Sequence, residues 1–382
     1  MTGSRKRILT RRVCRDRLFC IVTGLTLLSL AASCSRGDRP VAMFRGGPTH
    51  TACDKGPAIH GDLSWKTQLN GWVISSPAVD VRKGVLYIGD SLGKSLYALR
   101  VKTGEKIWSS ETEGAILASP LVTKNRVMVG SEDGVFYCLD RETGRPLWSL
   151  NTGAVINSSA VSDSDRVYFG GWNGSLHALA IQDGTESWAF QTVGRITSSP
   201  ALDDGKLFFG SWDGNFYCLD SSQGKEIWRF SVSEGGKIGS SPCVDAGRVF
   251  FGATDGKIYC LDATTGKQIW LFETGKWVDT SPAVARGSVV AGSTDQNLYC
   301  LDKKSGQLKW KQTGLGPMIS SPWIYNDLVY AAGERGILAA FKLSDGQKVW
   351  EYRMLNPIKS SPVAVGGMLF VGSYDTHVYA FR

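Results

Sequence analysis

A period near 40 residues runs through this chain and leaves few folds open to it. The clearest copy spans Arg195 to Trp228: Ile196-Thr197-Ser198-Ser199-Pro200, Leu207-Phe208-Phe209-Gly210, Asp213-Gly214, Tyr217-Cys218-Leu219-Asp220 and Gly224-Lys225-Glu226-Ile227-Trp228. The second serine of the copy recurs at Ser76, Ser119, Ser159, Ser199, Ser241, Ser281, Ser321 and Ser361, with spacings of 43, 40, 40, 42, 40, 40 and 40. A tryptophan recurs at Trp65, Trp108, Trp148, Trp188, Trp228, Trp270, Trp310 and Trp350, with spacings of 43, 40, 40, 40, 42, 40 and 40. So constant a period marks an array of like supersecondary units. The units read as strands: Arg248-Val249-Phe250-Phe251 and Lys257-Ile258-Tyr259-Cys260-Leu261 are short, β-branched and aromatic. Between such runs stand Asp133-Gly134, Asn173-Gly174, Asp213-Gly214 and Asp255-Gly256, pairs that reach the positive φ of a tight hairpin.

Four antiparallel strands in roughly 40 residues make one blade, so eight copies predict an all-β, eight-bladed β-propeller over residues 62–382. The eighth unit runs through Met368-Leu369-Phe370-Val371 and Val378-Tyr379-Ala380-Phe381 to Arg382 without a fourth strand. Leu63-Ser64-Trp65-Lys66 is a fourth strand with no blade before it. The sequence therefore predicts a ring closed by the N-terminal strand around Trp65, which removes the open seam of a linear array.

The formal net charge of +8 is misleading about the ring. Residues 1–33 hold seven of the 43 basic residues and one of the 35 acidic ones, so the remainder carries 36 against 34. A nearly neutral body gives no footing to nucleic acid. After that basic start, Leu18 to Ser33 is an apolar run of 16 residues, shorter than the ~20 that span a bilayer. Residues 1–33 thus read as an export signal. Ala31-Ala32-Ser33-Cys34 resembles the lipobox of bacterial lipoproteins, with Leu30 one place earlier than usual. That resemblance implies acylation of Cys34, a lipid anchor and removal of the signal; an uncleaved anchor and ordinary cleavage are the alternatives. Ser35 after the cysteine resembles an outer-membrane address. Residues 34–61, with several Gly and Pro and no strand pattern, read as a flexible tether.

Cys138, Cys218, Cys260 and Cys300 share one repeat position with Ala98, Ala178, Ala340 and Ala380. A site that accepts Cys or Ala asks for a small buried side chain, so these read as core thiols. With four His and no Cys-x-x-Cys pair, no metal or haem site is expected.

The eight tryptophans read as architectural, one per blade at the same height. The stretches Ala98 to Trp108 and Cys138 to Trp148, each carrying Thr-Gly four residues before its Trp, resemble the tryptophan-docking motif of pyrroloquinoline-quinone-type (PQQ-like repeat) β-propellers. Met43-Phe44-Arg45-Gly46-Gly47-Pro48 is similar to a segment that precedes the first blade in such proteins. The family contains quinoprotein dehydrogenases and also cofactor-free scaffolds, the BamB-type lipoproteins of outer-membrane protein assembly. The dehydrogenases use a vicinal Cys-Cys disulfide, calcium-binding carboxylates and an Asp base set in long insertions. This chain has no adjacent cysteines and only short departures from its period. The expectation is therefore a non-enzymatic scaffold without PQQ or another cofactor.

Function should then lie where the repeats differ. Four places before the second serine come Trp72, Ala115, Val155, Arg195, Lys237, Trp277, Pro317 and Pro357. Two places before it come Ile74, Leu117, Asn157, Thr197, Gly239, Asp279, Ile319 and Lys359, alternating with an apolar core site. These positions should ring one mouth of the axial channel, together with the turns that bear Trp172, Trp212, Tyr374, Glu334 and Arg335. Trp, Tyr and Arg are the residues enriched in binding hot spots. The expected partner is a protein of the cell envelope bound by a monomeric ring. A PQQ-dependent oxidoreductase or quinone binder, and a carbohydrate or small-ligand propeller stacking on Trp72 and Trp277, are the alternatives.

Overall fold

The computed structural model describes residues 43–382; the expected export signal and the expected acylation site, Cys34, lie outside the described residues. Eight antiparallel sheets follow one another in chain order around an axis, as the repeat predicts. In each blade the first strand is innermost and the tryptophan-bearing strand is outermost. The ring closes as expected: the Leu63–Gln68 strand pairs antiparallel with the last strand, Trp65 opposite Ala380 and Gln68 opposite His377.

The serine repeat is explained by a circle of hydrogen bonds. The backbone N–H of each second serine donates to the hydroxyl of the second serine one blade on, at 2.9 to 3.1 Å, from Ser76 to Ser119 and so on to Ser361. The circle returns on itself at Ser361 N to Ser76 Oγ, 3.0 Å. All of these serines are buried, and a buried backbone donor left without a partner would cost about 1–3 kcal/mol.

The tryptophans dock each blade onto the next. Trp188 donates its indole N–H to Ser221 O at 3.2 Å, and Trp310 does the same to Leu343 O at 2.9 Å. The glycine of the following Thr-Gly-type turn lies flat on that indole. At Gly224 a Cβ would meet Trp188 at 2.5 Å, and its φ of 68° is left-handed. Directly across the sheet from each tryptophan stands the Cys-or-Ala position, Cys218 opposite Trp228 and Ala178 opposite Trp188. The space left beside the indole is why only a small residue fits. Burial pushes the Cys138, Cys218 and Cys260 thiols up to about 12, so they remain protonated.

Gly224→Ala is expected to cost about 3 kcal/mol, from left-handed strain and overpacking together. Gly205→Ala, where φ is 70° but no atom lies within 4 Å, should cost only about 1 kcal/mol. Urea unfolding of the two variants measures the difference, which is the docking contact; equal losses would contradict it.

Residues 43–61, read from sequence as part of a tether, are instead built into the ring. Cys53–Asp54 adds a parallel fifth strand to the inner edge of the seventh blade, beside Ile324 and Tyr325. Before it, carbonyls of Pro48, Thr49, Thr51 and Ala52 accept hydrogen bonds from Leu202, Val244, Val284 and Ile324, one in each of blades four to seven. The Arg45 side chain, 2 % exposed, donates to the carbonyls of Pro282 and Pro322 at 2.6 and 2.8 Å. This strap lies along the inner strands toward the end of the ring opposite the variable positions. Inner-strand N–H groups facing an empty channel would be unpaired, and the strap supplies acceptors for them.

Candidate functional site

The chain direction in every blade puts the connection into the first strand and the turn between the second and third strands at one end of the ring. That end is the open mouth. The apolar position of each connection is core: Val73, Ile116, Ile156, Ile196, Ile238, Val278, Met318 and Ile358 are fully buried. Their neighbours therefore point to the mouth, as strand alternation requires.

Two clusters form there. In the first, the Arg195 guanidinium lies between two indoles, 4.2 Å from the Trp172 ring centroid and 5.5 Å from that of Trp212. The Lys237 ammonium lies 5.0 Å from the Trp212 ring, and the indole N–H of Trp212 donates to Thr197 Oγ1 at 2.9 Å. The result is an alternating cation and indole ladder across blades three to five, each contact worth about 0.5–1 kcal/mol at an exposed site. Beside it opens a concavity of about 380 Å³, walled by Glu132, Asp133, Trp172, Asn173 and Arg195.

In the second cluster the Trp72 and Tyr374 rings lie 5.1 Å apart. Lys359 reaches 5.1 Å from the Tyr374 ring and 3.7 Å from Glu334 Oε1. Trp72, a stacking platform in the carbohydrate alternative, thus has a ring neighbour already. Arg335 belongs to neither cluster and donates to Gln296 at 3.3 Å. Trp277 stands apart and 58 % exposed. Asp279 also stands apart, half-buried, and burial alone raises its carboxyl above the ordinary value.

Sequence reading missed Leu92, Val193 and Leu355 at this end, 62 %, 99 % and 93 % exposed. Leu92 and Leu355 sit in Ser91-Leu92-Gly93 and Met354-Leu355-Asn356-Pro357, stretches that break the repeat, and that break was the available signal.

Among the described residues no three of His, Cys, Asp and Glu come together to hold a metal ion. Cys138, Cys218, Cys243, Cys260 and Cys300 are free, buried and spread over four blades. The residues at the mouth do not fit a calcium-bound quinone beneath a vicinal disulfide.

A family model described as outer membrane protein assembly factor BamB matches residues 51–223, 172–256 and 212–382, which together span the whole ring. The chain belongs to this BamB-like, PQQ-repeat propeller family. Among solved structures, BamB from Moraxella catarrhalis is similar at 19 % identity and a TM-score of 0.71, over 83 % of this chain and 98 % of that one. The quinohemoprotein alcohol dehydrogenase from Comamonas testosteroni is similar at 15 % identity and a TM-score of 0.79, over 92 % and 81 %. The computationally designed Ika8 protein gives 17 % and 0.74, over 84 % and 100 %. At these identities the likeness shows the fold alone, and a BamB, an enzyme and a designed ring share it. No curated protein matches the chain.

Proposed function

We propose that this BamB-like propeller is a cell-envelope scaffold that docks a protein partner on its mouth and catalyses no reaction. One observation carries the reading. Of the large apolar side chains left exposed, Trp72, Leu92, Val193, Trp212, Trp277, Ile319 and Leu355 all lie at the mouth. The others, such as Ile107, Leu147 and Ile227, lie on the outermost strands, and among the described residues the turns at the opposite end carry none. Uncovered apolar surface rimmed by charge is a protein-docking signature. The most specific form of the reading is a platform for the machinery that assembles outer-membrane proteins, which family membership supports. On this reading Cys34 is acylated, residues 1–33 are removed, and a monomeric ring without quinone is held at the periplasmic face of the outer membrane.

Cross-linking in isolated envelopes tests it. The wild-type chain is expected to capture a protein, and the double variant Trp172→Ala, Trp212→Ala should lose at least nine-tenths of that adduct, since hot-spot truncations each cost ~2 kcal/mol or more. No adduct from the wild type, with unchanged outer-membrane protein levels on deletion of the gene, would overturn the assembly role. Quinone-dependent dye reduction by the purified chain would overturn the absence of catalysis.

A further inference from the structure

We propose that the mouth contains a binding site for a primary ammonium group, where the Asp279 carboxylate and the Thr197 hydroxyl face a shared gap at Gly239. The inference rests on the docking reading for the source of that group, a lysine side chain of the partner. Gly239 occupies the position that Asp279 and Thr197 hold in the neighbouring blades, and it leaves their side chains without one between them. A Cβ at Gly239 would lie 3.5 Å from Thr197 Oγ1, 3.7 Å from Asp279 Oδ1 and 3.7 Å from Trp212 Nε1. The two oxygens thus converge on a gap about one side-chain atom wide.

Asp279 is the exception among the charges of the mouth. Lys359 has Glu334 and Tyr374, and Arg195 and Lys237 lie on indoles. Asp279 has no hydrogen bond and no ion pair among the described residues. Neither of its oxygens is sealed from solvent, so the carboxylate is open to a cation that arrives with a ligand.

The geometry favours ammonium over other cations. One carboxylate oxygen and one hydroxyl oxygen converging on a small gap suit a compact charge with three rotatable donors. A guanidinium needs a carboxylate presented side-on to its planar fork. A metal ion would need further His, Cys, Asp or Glu ligands, and among the described residues none assemble. The Trp212 N–H, donating to Thr197 Oγ1 at 2.9 Å, leaves a lone pair of that hydroxyl for the ligand. Trp277, two residues before Asp279 in the same connection and 58 % exposed, offers its ring to an alkyl stem.

A water-soluble carbodiimide joins a carboxylate to an amine held against it, so the whole chain can be assayed by mass spectrometry. With Nα-acetyl-lysinamide as probe, Asp279 is expected to couple at least tenfold faster than Asp203. Asp203 is an apt reference because burial raises its carboxyl too, yet it lies on an inner strand away from the mouth. Gly239→Ala should bring Asp279 down to the Asp203 rate with an unchanged melting temperature, because its methyl group makes only ordinary contacts while filling the gap. Coupling at Asp279 no faster than at Asp203, or unaffected by Gly239→Ala, overturns the site. In envelopes treated with carbodiimide and no probe, an amide between Asp279 and a protein lysine is expected. Probe coupling without that protein adduct overturns the partner lysine and leaves a free amine as the ligand. Capture that depends on Trp172 and Trp212 while Asp279 stays inert leaves the docking reading standing and removes this site alone.

Discussion

A chain that begins at Asn70 is expected to lose its monomeric, cooperative fold. It lacks the strand that pairs Leu63, Trp65, Lys66, Thr67 and Gln68 with residues 377–381 and so leaves an open edge on the eighth blade. It also lacks Trp65, whose indole N–H donates to Val101 O at 2.9 Å and whose ring lies 6.0 Å from that of Phe370. The single substitution Trp65→Ala alone should cost about 3 kcal/mol. Loss of the strand, the indole and the strap together removes an amount comparable to the whole stability of a typical fold, ~5–15 kcal/mol. Size-exclusion chromatography with light scattering should show oligomers joined through the bare edge, and the thermal transition should broaden or vanish. A peptide of residues 43–69 added in trans should restore the monomer. A truncated chain that stays monomeric with an unchanged melting temperature would show that the ring does not depend on its borrowed strand.

The second large effect is expected at Arg45. Its guanidinium ties Pro282 to Pro322 on adjacent blades, and it is buried with no carboxylate beside it. Two opposing terms decide the outcome. Burial lowers the Arg45 pKa to about 9, so the group is still charged at neutral pH and its desolvation works against folding. Against this, Arg45→Ala leaves two buried carbonyls without donors, at ~1–3 kcal/mol each, and detaches the strap. The carbonyls dominate, and a net loss of about 3 kcal/mol is expected in urea unfolding. Arg45→Lys, which presents one point charge instead of a fork, should recover about half of that loss. An Arg45→Ala ring as stable as the wild type would mean that the Arg45 bonds to the two blades contribute nothing to the stability of the ring.

The ring was legible in sequence because its determinants are local and repeated. Each Asp-Gly or Asn-Gly turn, each strand pair and each tryptophan can be read within one 40-residue window, and the fourth strand around Trp65 stood out by having no blade of its own. The strap was not legible, since its contacts lie 237 and 277 residues away and no periodicity announces them. It also holds Arg45, His50 and Ala52 at φ of 59°, 56° and 48°, a backbone that composition gives no hint of. The serines were visible as a repeat, but their role appears only when neighbouring blades meet and each N–H finds the next hydroxyl. At the mouth, strand alternation placed Arg195 and Lys237, and the turns between second and third strands placed Trp172 and Trp212, on one face. Which cation lies on which ring depends on side-chain reach between blades, and so does the isolation of Asp279.

The central claim, that one end of the ring is the docking face, is tested most directly by a photo-cross-linking scan in living cells. A photoreactive phenylalanine analogue is placed singly at Trp277, Trp212 and Tyr374 at the mouth, and at Thr103, Thr265 and Asp345 in the turns of the opposite end. Adducts to one protein from the three mouth positions and none from the other three are the predicted result. Adducts from the opposite turns, or equal capture from both ends, would contradict the account.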